Sequence, residues 1–178
     1  MDSADAAKSR CLIGWASRDI TPDKPVLLWG QFYARVSEGV MDPVTVTALA
    51  IESCSGGNAS SQVVMVSCDS VSVPAVLLES VRGHLRSDLP GFDPKNIFIS
   101  ATHTHTAPLA NPAGEDGSGV LSTDVGFTTT ELGVIEPEVY LAFVARSIAD
   151  AIIEAWQKRK PGGMGYGLGH AGRGNNRL

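Results

Sequence analysis

Two short apolar runs bracket an amphipathic segment, and that order restricts the fold more than any other feature of the chain. Val63-Val64-Met65-Val66-Ser67-Cys68 is nearly continuous in apolar residues, as expected for a strand covered on both faces. Val76, Leu77, Val81 and Leu85 then recur at helical spacing between about Val73 and Leu89, with Glu79, Arg82 and Arg86 between them. Pro90-Gly91 breaks that helix, and Ile97-Phe98-Ile99 opens a strand read here through His105. Strand, helix, strand in that order implies a right-handed crossover and a parallel pair. The expected class is therefore α/β: a mixed sheet with a parallel βαβ unit and flanking helices.

The remaining segments fill in that frame. Residues 11–20 read as a strand ended by Thr21-Pro22. Residues 21–43 carry several prolines and glycines and read as an ordered, irregular connection. Residues 44–53 alternate and are β-branched, which predicts a strand; the turn-rich 55–62 stretch then suggests a hairpin. Residues 106–135 show no period and predict a long loop, uncommon in a compact domain unless functional or disordered. The strongest helix pattern spans 136–160, with Pro137 in its first turn and Lys/Arg near its end. Gly alternates with larger residues over 164–178, as in a Gly-rich strand. Residues 1–10 read as a disordered leader and 11–178 as one domain. The polar Asn175-Asn176-Arg177-Leu178 ending, with nothing after it to cover the sheet, suggests the N-terminal part of a larger domain.

Composition removes several functions. The net charge is -5 and the basic residues are scattered, which argues against nucleic acid as a partner. No stretch approaches the ~20 apolar residues of a membrane span. The N-terminus lacks an apolar signal core, so the expected location is cytoplasmic. Cys11, Cys54 and Cys68 show no metal spacing and read as free thiols; Cys54 and Cys68 would pair only in an exported protein.

Chemistry concentrates at Ser100-Ala101-Thr102-His103-Thr104-His105-Thr106-Ala107-Pro108, which holds two of the chain's four histidines. On an extended chain His103 and His105 share one face, with Thr102, Thr104 and Thr106 on the other. They would lie at the C-terminal edge of a parallel strand, where open α/β sheets bind ligands. Asp69 ends the neighbouring strand, so a carboxylate and two imidazoles would meet on one rim. Neutral imidazole is a common metal ligand, and an ion there would activate water. The competing readings are capping or packing histidines, and Asp69 as a strand-end cap. His84 reads as exposed on its helix and His170 as structural. The glycines after residue 161 fit neither a P-loop nor a dinucleotide fold, and no G-x-S-x-G elbow exists.

These residues resemble a known family, the neutral/alkaline non-lysosomal ceramidases, in the N-terminal part of the catalytic domain. Residues 96–108 are similar to its Ala-Thr-His-Thr-His-Ser-Gly-Pro motif. Residues 13–22 resemble its opening strand, 39–52 its following segment, 63–70 its strand ending in Asp, and 175–177 its Asn-Arg segment. Thr106 and Ala107 stand where the motif has Ser-Gly, and Val46 or Thr47 where the family has Arg. The resemblance implies a zinc-dependent amidase that cleaves the N-acyl bond of ceramide, or a related lipid amide, to a sphingoid base and a fatty acid. It implies His103 as a ligand of one Zn2+, with the remaining ligands beyond Leu178; Asp69, from its place on the rim, is a further candidate ligand. It implies His105 and Arg177 as catalytic residues and Asn176 and Arg177 as substrate contacts. A fragment of this kind is expected to be inactive alone. The family is usually secreted or membrane-associated, against the missing signal. Two other classes compete: a non-catalytic α/β binding domain, and a metal-dependent hydrolase of other specificity.

Overall fold

The computed structural model describes residues 10–30, 33–55, 58–110 and 129–170. Its strands are β1 (Arg10–Asp19), β2 (Thr45–Ser55), β3 (Asn58–Cys68), β4 (Ile97–Ala101) and β5 (Lys160–Gly162). Its helices are α1 (Ala75–Asp88), α2 (Thr129–Leu132) and α3 (Pro137–Gln157). They build one mixed sheet in the order β4-β3-β2-β1-β5. β3 and β4 pair in parallel across α1, and the other neighbours are antiparallel. The α/β class and the βαβ unit expected from the sequence are both present.

One face of the sheet carries the core. Gly14, Ala50, Val64 and Ile97 lie in one cross-strand row, and Ala16, Ala48, Val66 and Ile99 in the next. β1 and β2 contribute only small residues to these rows, so a helix can lie close against them. α3 does so, burying Val144, Ala145, Ile148, Ala149, Ile152 and Ala155. α1 adds Leu77, Val81 and Leu85, one helical turn apart, to the same core. Pro137 starts α3, where a missing N–H costs nothing, and Glu138 in its first turn favours the helix dipole. At the other end Arg159 lies over the Trp156 ring and bonds the largely buried Glu52 carboxylate at 3.0 Å.

The opposite face is open among the described residues. Trp15, Leu49, Met65 and Phe98 form one apolar row across four strands, and Trp15 is 74% exposed. This corrects the expectation that β3 is covered on both faces. Its residues alternate, with Val64, Val66 and Cys68 buried and Met65 and Ser67 exposed, because the described helices pack on only one side.

Other boundaries move as well. Arg10 already belongs to β1, and the rest of the expected leader, 1–9, lies outside the described residues. β2 runs to Ser55 and β3 starts at Asn58, so the hairpin turn is tighter than 55–62. The expected 106–135 loop includes the short helix α2, and its 111–128 portion lies outside the described residues. The described part of the expected Gly-rich strand, 164–170, is irregular, the short β5 falls before it just after the end of α3, and 171–178 lie outside the described residues. Without side chains there is little to hold alternating glycines on a pleated surface. His84 is half-buried rather than exposed. The three cysteines are unpaired, and Cys54 and Cys68 lie at opposite ends of the β2–β3 ladder. No described helix is long and apolar enough to cross a membrane.

Two outcomes follow from this packing. A Cβ on Gly14 would sit 2.2 Å from the Ala155 carbonyl oxygen and 2.9 Å from the Arg159 amide nitrogen, both backbone atoms. Gly14→Ala is expected to lower stability by about 3 kcal/mol, the upper range for overpacking, measured by urea unfolding. Burial, with the Asp69 charge adding to it, pushes the Cys68 thiol up to about 12. In a thiol-reagent assay at neutral pH, Cys68 should stay unmodified in the folded chain and react once denaturant is added.

Candidate functional site

The site forms where β3 and β4 end. β4 stops at Ala101, so the histidines do not sit on an extended strand as expected. Thr102 bonds back to the Cys68 carbonyl at 3.0 Å and His103 to that of Ser70 at 2.9 Å. His103 then takes a left-handed φ of 62°, unusual outside glycine. That backbone reversal, rather than strand alternation, turns the two rings toward each other.

Their geometry is specific. His103 Nδ1 lies 2.7 Å from the Val71 carbonyl oxygen, and His105 Nδ1 lies 2.9 Å from that of Gly30. A carbonyl oxygen only accepts, so each Nδ1 must carry the hydrogen. With both rings neutral the Nε2 atoms are then acceptors, and they face each other at 3.3 Å, with the rings at 81°. Two facing lone pairs favour a cation beside them. Nitrogens about 2.0–2.1 Å from one tetrahedral ion would stand about 3.3–3.4 Å apart, so the observed spacing admits a metal. Metal-bound histidines commonly give their other N–H to a backbone carbonyl, the pattern seen at both rings. Both side chains are exposed, so a ligand can approach from solvent.

The second half of the site comes from the irregular connection after β1. Val26, Leu27, Leu28 and Trp29 are buried there. Trp29 N–H donates to the Ala107 carbonyl at 3.0 Å, and Leu109 N–H to that of Leu27 at 2.7 Å. This clip fixes the histidine loop against residues 27–29 and delivers Gly30 to His105. Leu28 N–H to Arg35, Ser37 N–H to Val26 and Ile20 N–H to Val44 close the connection on itself. The sequence signalled an ordered segment through its prolines and glycines, but nothing in it paired residues 27–29 with 107–109.

Asp69 is placed differently. One carboxylate oxygen accepts from the Thr45 amide at 2.9 Å and its hydroxyl at 3.0 Å; the other accepts from Thr102 at 3.1 Å. No three His, Cys, Asp or Glu side chains converge among the described residues. Asp69 therefore does not join the histidine pair as the rim reading had it. It ties the start of β2 to the end of β4, the strand-end role. Thr102 turns to Asp69, while Thr104 and Thr106 bond each other at 3.0 Å. Asn176 and Arg177 lie outside the described residues. His170 is exposed and irregular, with no role assigned by geometry.

No family model matches the chain, and no curated protein matches it. Solved structures do. Neutral ceramidase from Pseudomonas aeruginosa superposes with a TM-score of 0.64 and 20% identity over 86% of this chain. A ceramidase complexed with C2 gives 0.62 and 22% identity over 86%. Each match spans 22% of the ceramidase chain, so this chain covers under a quarter of its neighbours' length. The chain has the fold of a part of neutral ceramidase, the same proteins that the His-x-His stretch resembles.

Replacing Asp69 tests its placement. Asp69→Ala leaves three donors without their acceptor and is expected to cost about 2 kcal/mol, the scale of hydrogen bonds to charged groups. Thermal unfolding reads this; a loss of imidazole convergence with unchanged stability would contradict the strand-end role.

Proposed function

We propose that this chain forms part of the catalytic centre of a zinc-dependent amidohydrolase of the ceramidase type, acting on ceramide or a related lipid amide. One observation carries the reading: two exposed imidazoles, each with Nδ1 held by a backbone carbonyl, turn their Nε2 atoms to a common point 3.3 Å apart. The ceramidase fold likeness supports the same chemistry at this loop.

In this reading His103 Nε2 is a zinc ligand and the remaining ligands lie outside the described residues. A bound zinc would polarise the amide carbonyl and lower the pKa of a bound water. His105 stands beside it, and with the two nitrogens so close, whatever binds at His103 meets His105. The ring's Nε2, an acceptor in the Nδ1–H tautomer, would accept a hydrogen bond from the attacking water and, once protonated, donate to the carbonyl oxygen as that oxygen develops charge. Arg177 and Asn176 are proposed to contact the substrate head group. The alternative of a metal-dependent hydrolase of other specificity, such as a phosphoesterase, loses the support of Asp69, whose two oxygens are engaged by Thr45 and Thr102.

Zinc titration against a chelating dye tests the centre. The wild-type chain is expected to bind weakly, because a zinc site normally takes three or four protein ligands. His103→Ala should abolish that binding; equal affinity in the variant would remove His103 from the site. Incubation with an N-acyl sphingoid amide should give no turnover from this chain alone. Tight one-to-one zinc with hydrolysis would show that these residues need no further ligands.

A further inference from the structure

Gly30 differs from the other described glycines. Gly91 and Gly133 also have left-handed φ values, but a Cβ on either would meet nothing within 4 Å. Their glycine is a matter of backbone conformation only. Gly30 has a φ of 80°, and a Cβ there would stand 2.7 Å from His105 Nδ1, 2.9 Å from its Cγ and 3.1 Å from its Cε1. The ring occupies the volume that any side chain at residue 30 would need.

The backbone at this point has little freedom to retreat. Its neighbour Trp29 is buried and bonded to Ala107, and Leu28 is bonded to Arg35. Ala107 and Pro108, two and three residues after His105, are buried against the same run. Both sides of the contact are thus fixed by the same clip, and the ring lies between them. The Gly30 carbonyl meets Nδ1 at 2.9 Å and accepts its hydrogen.

We propose that Gly30 is a positioning residue for His105. Its carbonyl selects the Nδ1–H tautomer, and its missing side chain is the space that lets Nε2 reach within 3.3 Å of His103. Val71 performs the carbonyl half of this task for His103. The inference rests on the reading of the histidine pair as a functional centre, but its geometry stands without a metal.

The test is long-range 15N NMR of the imidazoles in the metal-free chain at about pH 8.5, above the ordinary histidine range. In the wild type, His105 should show one tautomer with a protonated Nδ1. Gly30→Ala should shift His105 to the other tautomer or a mixture, with His103 still showing a protonated Nδ1. Gly30→Asn separates two causes, since Asn tolerates a left-handed φ but still carries the clashing Cβ. It should behave like Gly30→Ala. Wild-type His105 protonated at Nε2 would overturn the proposal, as would an unchanged tautomer in either variant. If the variants fail to fold, the wild-type tautomer alone decides. A locked tautomer with no zinc binding would leave this inference standing and sink the zinc reading; zinc binding with a mixed wild-type tautomer would do the reverse.

Discussion

Close approach of α3 to the sheet is the constraint on which the rest of this structure depends. Gly14, Ala16, Ala48 and Ala50 leave a shallow floor on β1 and β2, and the alanines of α3 settle onto it. At Gly14 the backbones come so near that a single methyl group has no room. Dense packing of this kind resists small displacements, so the ends of β1 and β3 are held to a narrow range of positions. Tyr140 extends the effect, since its buried hydroxyl donates to the Ile20 carbonyl where the chain leaves β1. Burial raises the pKa of that hydroxyl well above its ordinary value, so it stays a donor at neutral pH.

From that anchored frame two segments of unrelated sequence are brought together. The connection after β1 buries Val26 to Trp29, and the loop after β4 buries Ala107 and Pro108. Their backbones bond as a short antiparallel clip. A buried backbone must find partners for its N–H and C=O groups, and here each segment satisfies the other. The histidine pair stands at the exposed end of this clip. Its precision therefore comes from buried main chain and not from the side chains around it.

Much of the fold was legible in the residues. The β3–α1–β4 unit followed from two apolar runs around an amphipathic segment, and α3 from Pro137, its period and its polar ends. The convergence of His103 and His105 was expected, but for the wrong reason. Strand alternation would have placed them side by side; the chain instead leaves the strand at Ala101 and reverses through a left-handed His103. Asp69 looked like a rim ligand because it ends the adjacent strand. Its neighbours Thr45 and Thr102 claimed it, and that competition depends on register, which the sequence does not display.

By itself the sequence determined the classes of its segments and which loop carries chemistry, because periodicity and residue type are local properties. Only the tertiary structure decided which carbonyls face the two imidazoles, which tautomers they take, and that Gly30 had to be a glycine. Those facts arise from contacts between residues 32 and 75 positions apart. Such contacts exist only after burial of Leu27 to Trp29 and Ala107 has fixed both chains in space.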